Sequence, residues 1–95
     1  MAGYLIAQVQ VKDPELYRKY QQAVLPTIQK HGGKVRVATP DPEVVEGAWT
    51  RGFTVVLEFE SVEALRGWYE SDDYAEPLAM RHKAADTNLV FAKGF

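Results

Sequence analysis

Glu58, Arg36, Arg81, Tyr74, Trp49 and Gln8 are the side chains of this 95-residue sequence whose types and settings could do chemistry. Glu58 is the most informative. It lies in the run Phe53-Thr54-Val55-Val56-Leu57-Glu58-Phe59, where a period of two among β-branched and aromatic residues is the pattern of a strand. Phe53, Val55, Leu57 and Phe59 then share the core face, and Thr54, Val56 and Glu58 the other. A carboxylate between Leu57 and Phe59 needs a reason, because a charge at a covered position is costly unless it is paired or used. A carboxylate beside a cation can transfer protons, and Arg81, Arg36 or the Tyr74 hydroxyl can hold the enolate or carboxylate that such a step produces. Gln8 and Trp49 are expected to add substrate contacts. Each residue also has a structural reading. Glu58 can pair with an arginine and only fix the register of an interface, with Arg81 the obvious partner; Arg81 can tie its helix to the sheet, and Trp49 can pack beside its turn. Of the paired and unpaired states of Glu58, the unpaired one is expected.

These residues need elements to position them. Tyr4 to Val11 reads as a first strand, with Leu5, Ala7, Val9 and Val11 on one face and Tyr4, Ile6, Gln8 and Gln10 on the other. Asp13-Pro14-Glu15 is a helix start of N-cap, N1 proline and first-turn acid. Leu16, Tyr17, Tyr20, Val24 and Ile28 carry an apolar stripe to about Lys30. Pro26 removes an amide donor inside that span and predicts a kink or break near Ala23 to Leu25. His31-Gly32-Gly33 ends the helix. Lys34 to Thr39 is a second strand with Val35 and Val37 inward and Arg36 outward, broken by Pro40-Asp41-Pro42. After the Phe53 strand, Ser61 is the expected N-cap of a helix whose stripe is Ala64, Leu65, Trp68 and Tyr69. Ser71 to Asp73 opens a short helix carrying Tyr74, Leu78 and Arg81, and Asn88 to Lys93 is the last strand.

The order strand, helix, strand, strand, helix, strand predicts an α+β, ferredoxin-like βαββαβ domain over residues 1–95, with a four-stranded antiparallel sheet and the helices on one face. The other face would carry Tyr4, Ile6, Gln8, Arg36, Thr54, Val56, Glu58, Asn88 and Val90. That set is too apolar to leave wet and too polar for a plain core, so a second copy is expected to cover it, giving a homodimer with a small, partly polar cavity.

Composition removes whole classes of function. A net charge of −2 with scattered Lys and Arg gives no footprint for nucleic acid or an anionic membrane. The absence of cysteine excludes a disulfide framework, a thiolate nucleophile and a cysteine zinc site. No secretory leader or run long enough to span a bilayer is read, so a cytoplasmic protein is expected. No phosphate-binding glycine loop and no metal-ligand spacing is present, and no cofactor is expected.

Gly3-Tyr4-Leu5-Ile6-Ala7, Asp13-Pro14-Glu15 with Tyr17 and Tyr20, His31-Gly32-Gly33, Glu46-Gly47 with Trp49, Val55-Val56-Leu57-Glu58-Phe59 with Ser61, and Trp68-Tyr69, Ser71, Tyr74 and Arg81 together carry a family resemblance. From end to end the chain resembles the uncharacterised dimeric α/β-barrel family known as domain of unknown function 1330. The resemblance implies the ferredoxin-like fold and a face-to-face dimer, and it brings no activity. The chain departs from the family pattern at Ala38 and Phe53, where arginine is usual, and at Glu60, which replaces a proline; Arg36 and Arg51 are the nearest substitutes. The expected function is a cofactor-free enzyme acting on a small carbonyl or carboxylate compound by proton transfer, with Glu58 as the acid/base. The alternatives are a non-catalytic binder of small molecules and a haem protein using His31 or His82.

Overall fold

The computed structural model describes residues 1–49 and 52–95. Arg51, one of the two substitutes for the missing arginines, lies outside the described residues. The elements are β1 (Gly3–Val11), α1 (Pro14–Lys30), β2 (Lys34–Thr39), β3 (Phe53–Phe59), α2 (Val62–Tyr69), α3 (Asp72–Ala84) and β4 (Ala85–Lys93). All pairings are antiparallel and the sheet order is β2-β3-β1-β4, the ferredoxin-like arrangement expected from the element order. No helix is long and apolar enough to cross a membrane among the described residues.

Local chemistry fixes the helix ends. Asp13 accepts from the Leu16 amide at 3.1 Å, with Pro14 at the first helical position. Ser61 accepts from the Ala64 amide at 3.0 Å, and the Ser71 hydroxyl accepts from the Tyr74 amide at 3.3 Å. At the end of α1, Gly32 takes a φ of +79°, which side chains with a Cβ rarely adopt. Gly33 follows where the Phe59 ring leaves no room for a Cβ.

The helices cover one face of the sheet. Leu5, Ala7 and Val9 of β1 and Leu57 and Phe59 of β3 are buried there with Tyr17, Tyr20, Val24 and Ile28 of α1, Leu65 and Trp68 of α2, and Tyr74 of α3. Trp68 stacks on Phe59 at 5.4 Å between ring centroids, and its indole N–H donates to Thr27 Oγ1 at 3.0 Å. That donor is therefore satisfied inside the core, as a buried polar atom requires.

Three expectations are corrected. α1 is continuous from Pro14 to Lys30 with Pro26 inside it, so the chain does not break near Ala23 to Leu25; Pro26 and Gln22 are both exposed, where a carbonyl that lacks its amide partner is accessible to water. β4 begins at Ala85, three residues before Asn88, extending the ladder with β1 to Val11↔Ala85. Val37 does not face the core, since the pairing of β2 with β3 shifts between Val35 and Val37: Val35 opposes Leu57, whereas Val37 opposes Val56 and Ala38 opposes Val55. The extra residue at this bulge is Arg36, and everything after it changes sides. Ala38 thus takes the helix-facing position that strict alternation gave to Val37.

Candidate functional site

On the helix side of the sheet, three elements bring polar groups to one place. Tyr17 and Tyr20 lie one turn apart on α1, Tyr74 and Arg81 two turns apart on one face of α3, and Tyr69 ends α2. The Tyr20 and Tyr74 hydroxyls are 2.9 Å apart and buried. Arg81 Nε donates to the Tyr74 hydroxyl at 3.4 Å and Nη2 to the Tyr69 hydroxyl at 3.2 Å. Arg81 is only 5% exposed and has no carboxylate within ion-pair distance among the described residues. Its hydrogen bonds leave Nη1 without a partner among the same residues.

The electrostatics of this cluster are unusual. Burial alone would lower the pKa of the guanidinium, but its interactions with Tyr74, Tyr20 and Tyr69 outweigh burial and raise it, so Arg81 is a cation at all working pH. Burial also pushes the Tyr20 and Tyr17 hydroxyls upward, for Tyr20 reinforced by its contact with Tyr74. Both therefore stay protonated. A buried cation ringed by neutral hydroxyls is stabilised less than one in an ion pair.

Tyr17, Tyr20, Tyr74 and Arg81 line a cavity of about 30 Å³ between sheet and helices, bounded on the strand side by Leu5, Ala7, Val9 and Leu89. That volume holds about one or two waters. Thr87 of β4 also lines it, and its hydroxyl is buried without a hydrogen-bond partner. A second, larger hollow of about 150 Å³ opens between α1 and the β2–β3 edge, bounded by Val24, Leu25, Ile28, Val35 and Ala38. Tyr17, Tyr20, Val55 and Leu57 line both spaces.

The other face of the sheet holds the rest of the expected residues. Arg36 Nε donates to Glu58 Oε1 at 2.8 Å, so Glu58 is paired and not the free carboxylate expected. Arg36 stands two residues along β2 from Lys34, which opposes Glu58, and its side chain reaches the carboxylate from there. Gln8 opposes Thr54, whose hydroxyl accepts from the Trp49 indole at 3.1 Å. Four residues of β1 separate that group from the Tyr4↔Glu58 position, about 13 Å along a strand. Trp49 and Thr54 also wall a hollow of about 380 Å³ beneath residues 42–46.

The expected constellation is thus divided. Tyr74 and Arg81 come together inside, whereas Glu58 with Arg36, and Gln8 with Trp49, lie on the opposite face; Arg81 is not the partner of Glu58. The inner cluster includes Tyr17, Tyr20, Tyr69 and Thr87, which sequence reasoning assigned to packing or left outside the last strand. The one available signal was a helix stripe whose aromatic members at Tyr17 and Tyr20 both carry hydroxyls. His31 caps α1 and contacts Asp73 at 3.0 Å, while His82 is exposed; neither lines the inner cavity. Among the described residues no group of three or more metal-ligating side chains converges.

The profile of a domain of unknown function, DUF1330, matches residues 2–95. The chain belongs to the DUF1330 family. No curated protein matches it. Among solved structures it is similar to a protein of unknown function from Rhodopseudomonas palustris, at 20% identity and a TM-score of 0.80, over 99% of this chain and 82% of that one. A dimeric ferredoxin-like protein of unknown function from Thermobifida fusca is similar at 18% identity and a TM-score of 0.66, over 99% and 92%. SnoaB, a cofactor-independent oxygenase from Streptomyces nogalater, is similar at 8% identity and a TM-score of 0.69, over 99% and 93%. At these identities the likeness establishes the ferredoxin-like fold. Of the positions at which this DUF1330 chain departs from the pattern, Ala38 lines the outer hollow and Phe53 packs on Tyr17 at 5.4 Å.

Proposed function

We propose that this DUF1330 protein is a cofactor-independent enzyme that acts on a small carbonyl or carboxylate compound by proton transfer, with the reacting oxygen at Arg81. The observation that carries the reading is the buried guanidinium, surrounded by hydroxyls and with no carboxylate in ion-pair distance among the described residues. Folding spends free energy to hold a cation there, and an anionic ligand oxygen supplies the missing partner. In enolisation the C–H bond α to a carbonyl breaks, its electron pair forms the C=C bond while the carbonyl π pair moves to oxygen, and the proton passes to a water acting as base. Arg81 and the Tyr20 and Tyr74 hydroxyls line one small cavity with little water to screen them, and hydrogen-bond donors held in such a place can stabilise a developing oxyanion. Glu58, held by Arg36 on the far face, stands outside this reacting centre. The activity of SnoaB supports cofactor-free chemistry only at the level of the fold.

The assembly we propose is a cytoplasmic homodimer in which a second copy covers the sheet face bearing Ile6, Val56 and Val90. Similar solved proteins from Thermobifida fusca and Bacteroides fragilis are dimeric, which supports this reading.

Incubating the protein with a panel of small ketones and 2-oxo acids in D2O, and following loss of the α-proton signals by NMR, tests the activity. The expected result is accelerated exchange in one compound class, reduced at least a hundredfold by Arg81→Met. One observation favours a second reading: among the described residues no carboxylate lines the inner cavity to act as base. A binding protein would shift its melting temperature with the same compounds and exchange none of them.

A further inference from the structure

Resting on the proposal that Arg81 holds an anionic oxygen, we infer that the ligand is an amphiphilic monoanion: its charged oxygen enters the inner cavity and its uncharged, apolar body lies in the hollow between α1 and the β2–β3 edge. The first support is size. A cavity of about 30 Å³ accepts one oxygen-bearing end group and no more, so the remainder of any organic ligand must lie elsewhere. Adjacency is the second. Tyr17, Tyr20, Val55 and Leu57 line both the inner cavity and the outer hollow, so the hollow is the neighbouring space into which the body of a ligand with its head at Arg81 would extend past these side chains.

Chemistry is the third support. The outer hollow is bounded by Val24, Leu25, Ile28, Val35 and Ala38, with Gln21 the one amide and no charged side chain among the described lining residues. A second anionic group on the ligand would meet no cation there, and an ammonium group no carboxylate. Phosphorylated compounds, dicarboxylates and zwitterionic amino acids are therefore poor ligands, whereas an arylacetate, a medium-chain fatty acid or an enol with an apolar substituent is complementary. The bulge at Arg36 makes the space. It turns the small Ala38, in place of Val37, toward α1, and an aromatic side chain at position 38 would fill the hollow without touching Arg81.

Calorimetric titration with acetate, hexanoate, phenylacetate, phenylacetamide and aspartate tests the inference on the parent, Arg81→Met and Ala38→Trp, each checked for fold by circular dichroism. For the parent, affinity should rise at least tenfold from acetate to hexanoate or phenylacetate, with phenylacetamide and aspartate at least tenfold weaker than phenylacetate. Ala38→Trp should erase the gain from the apolar body and leave acetate binding as in the parent. If Ala38→Trp binds phenylacetate as tightly as the parent while Arg81→Met does not, the body lies elsewhere and the proposed anion site stands. If no acid binds the parent, or Arg81→Met binds phenylacetate as the parent does, the anion site itself fails and the inference with it.

Discussion

At the scale of single residues, Arg81 is the side chain whose presence the fold does not explain. Exchanging a buried, poorly compensated charge for an apolar side chain of similar volume is often neutral or stabilising, whereas removing half of an ion pair is costly. Arg81→Met is therefore expected to unfold at the parent's denaturant midpoint or above it while losing the response to anions. A lowered midpoint, equivalent to several kcal/mol of lost stability, would instead make Arg81 a structural tie between α3 and the tyrosines. Glu58 shows what single residues reveal in sequence and what they conceal. Its parity on β3 was legible from the alternation around it, because a one-residue slip would expose Leu57 and Phe59. Its pairing with Arg36 was not, because the register of β2 on β3, which sets Arg36 near Glu58, is not written in the alternation of either strand alone. The bulge in β2, equally unmarked in so short a strand, moved Val37 outward and Ala38 inward, so one unseen residue misplaced two others.

At the scale of elements, the capping residues were read directly, since each needs only a hydroxyl or carboxylate in front of an apolar stripe. Ser61→Ala should cost about 1 kcal/mol, visible as a lower urea midpoint with an unchanged slope; an unchanged midpoint would mean that the Ser61–Ala64 hydrogen bond contributes nothing. At the start of α3, Asp73 is held below the ordinary carboxylate pKa by its hydrogen bond to His31 and then by Lys30. An Asp with a lowered folded pKa adds stability above its unfolded value, about 3.9, and loses it as the pH falls through the folded value. The melting temperature of the parent should thus exceed that of Asp73→Asn near neutral pH, and the gap should close on acidification below about pH 4. A gap that widens on acidification would contradict the clamp between the end of α1 and the start of α3. The absence of a break at Pro26 was not legible because exposure decides it: a lost amide is costly when its carbonyl is buried and much less so when that carbonyl meets water.

At the scale of the molecule, the topology was legible because the order and periodicity of the elements admit few arrangements, and the ferredoxin-like one leaves a sheet face uncovered. Val90, 57% exposed, and Val37, 39% exposed, stand on that face with Ile6 and Val56. Val56→Lys would set like charges close together across a two-fold axis, and the variant is expected to elute as a monomer in size-exclusion chromatography with light scattering; a retained dimer would put the interface elsewhere. The inner site was not legible. It exists because α1 and α3 pack side by side, bringing Tyr20 within hydrogen-bond distance of Tyr74, and neither residue's sequence neighbourhood encodes that meeting. The most direct test is a crystal structure of the protein grown with phenylacetate. The carboxylate should lie within hydrogen-bond distance of Arg81 and the Tyr74 hydroxyl, with the ring between α1 and Ala38. Density for the carboxylate on the opposite face beside Arg36, with only water at Arg81, would contradict the assignment of Arg81 as the anion-holding residue.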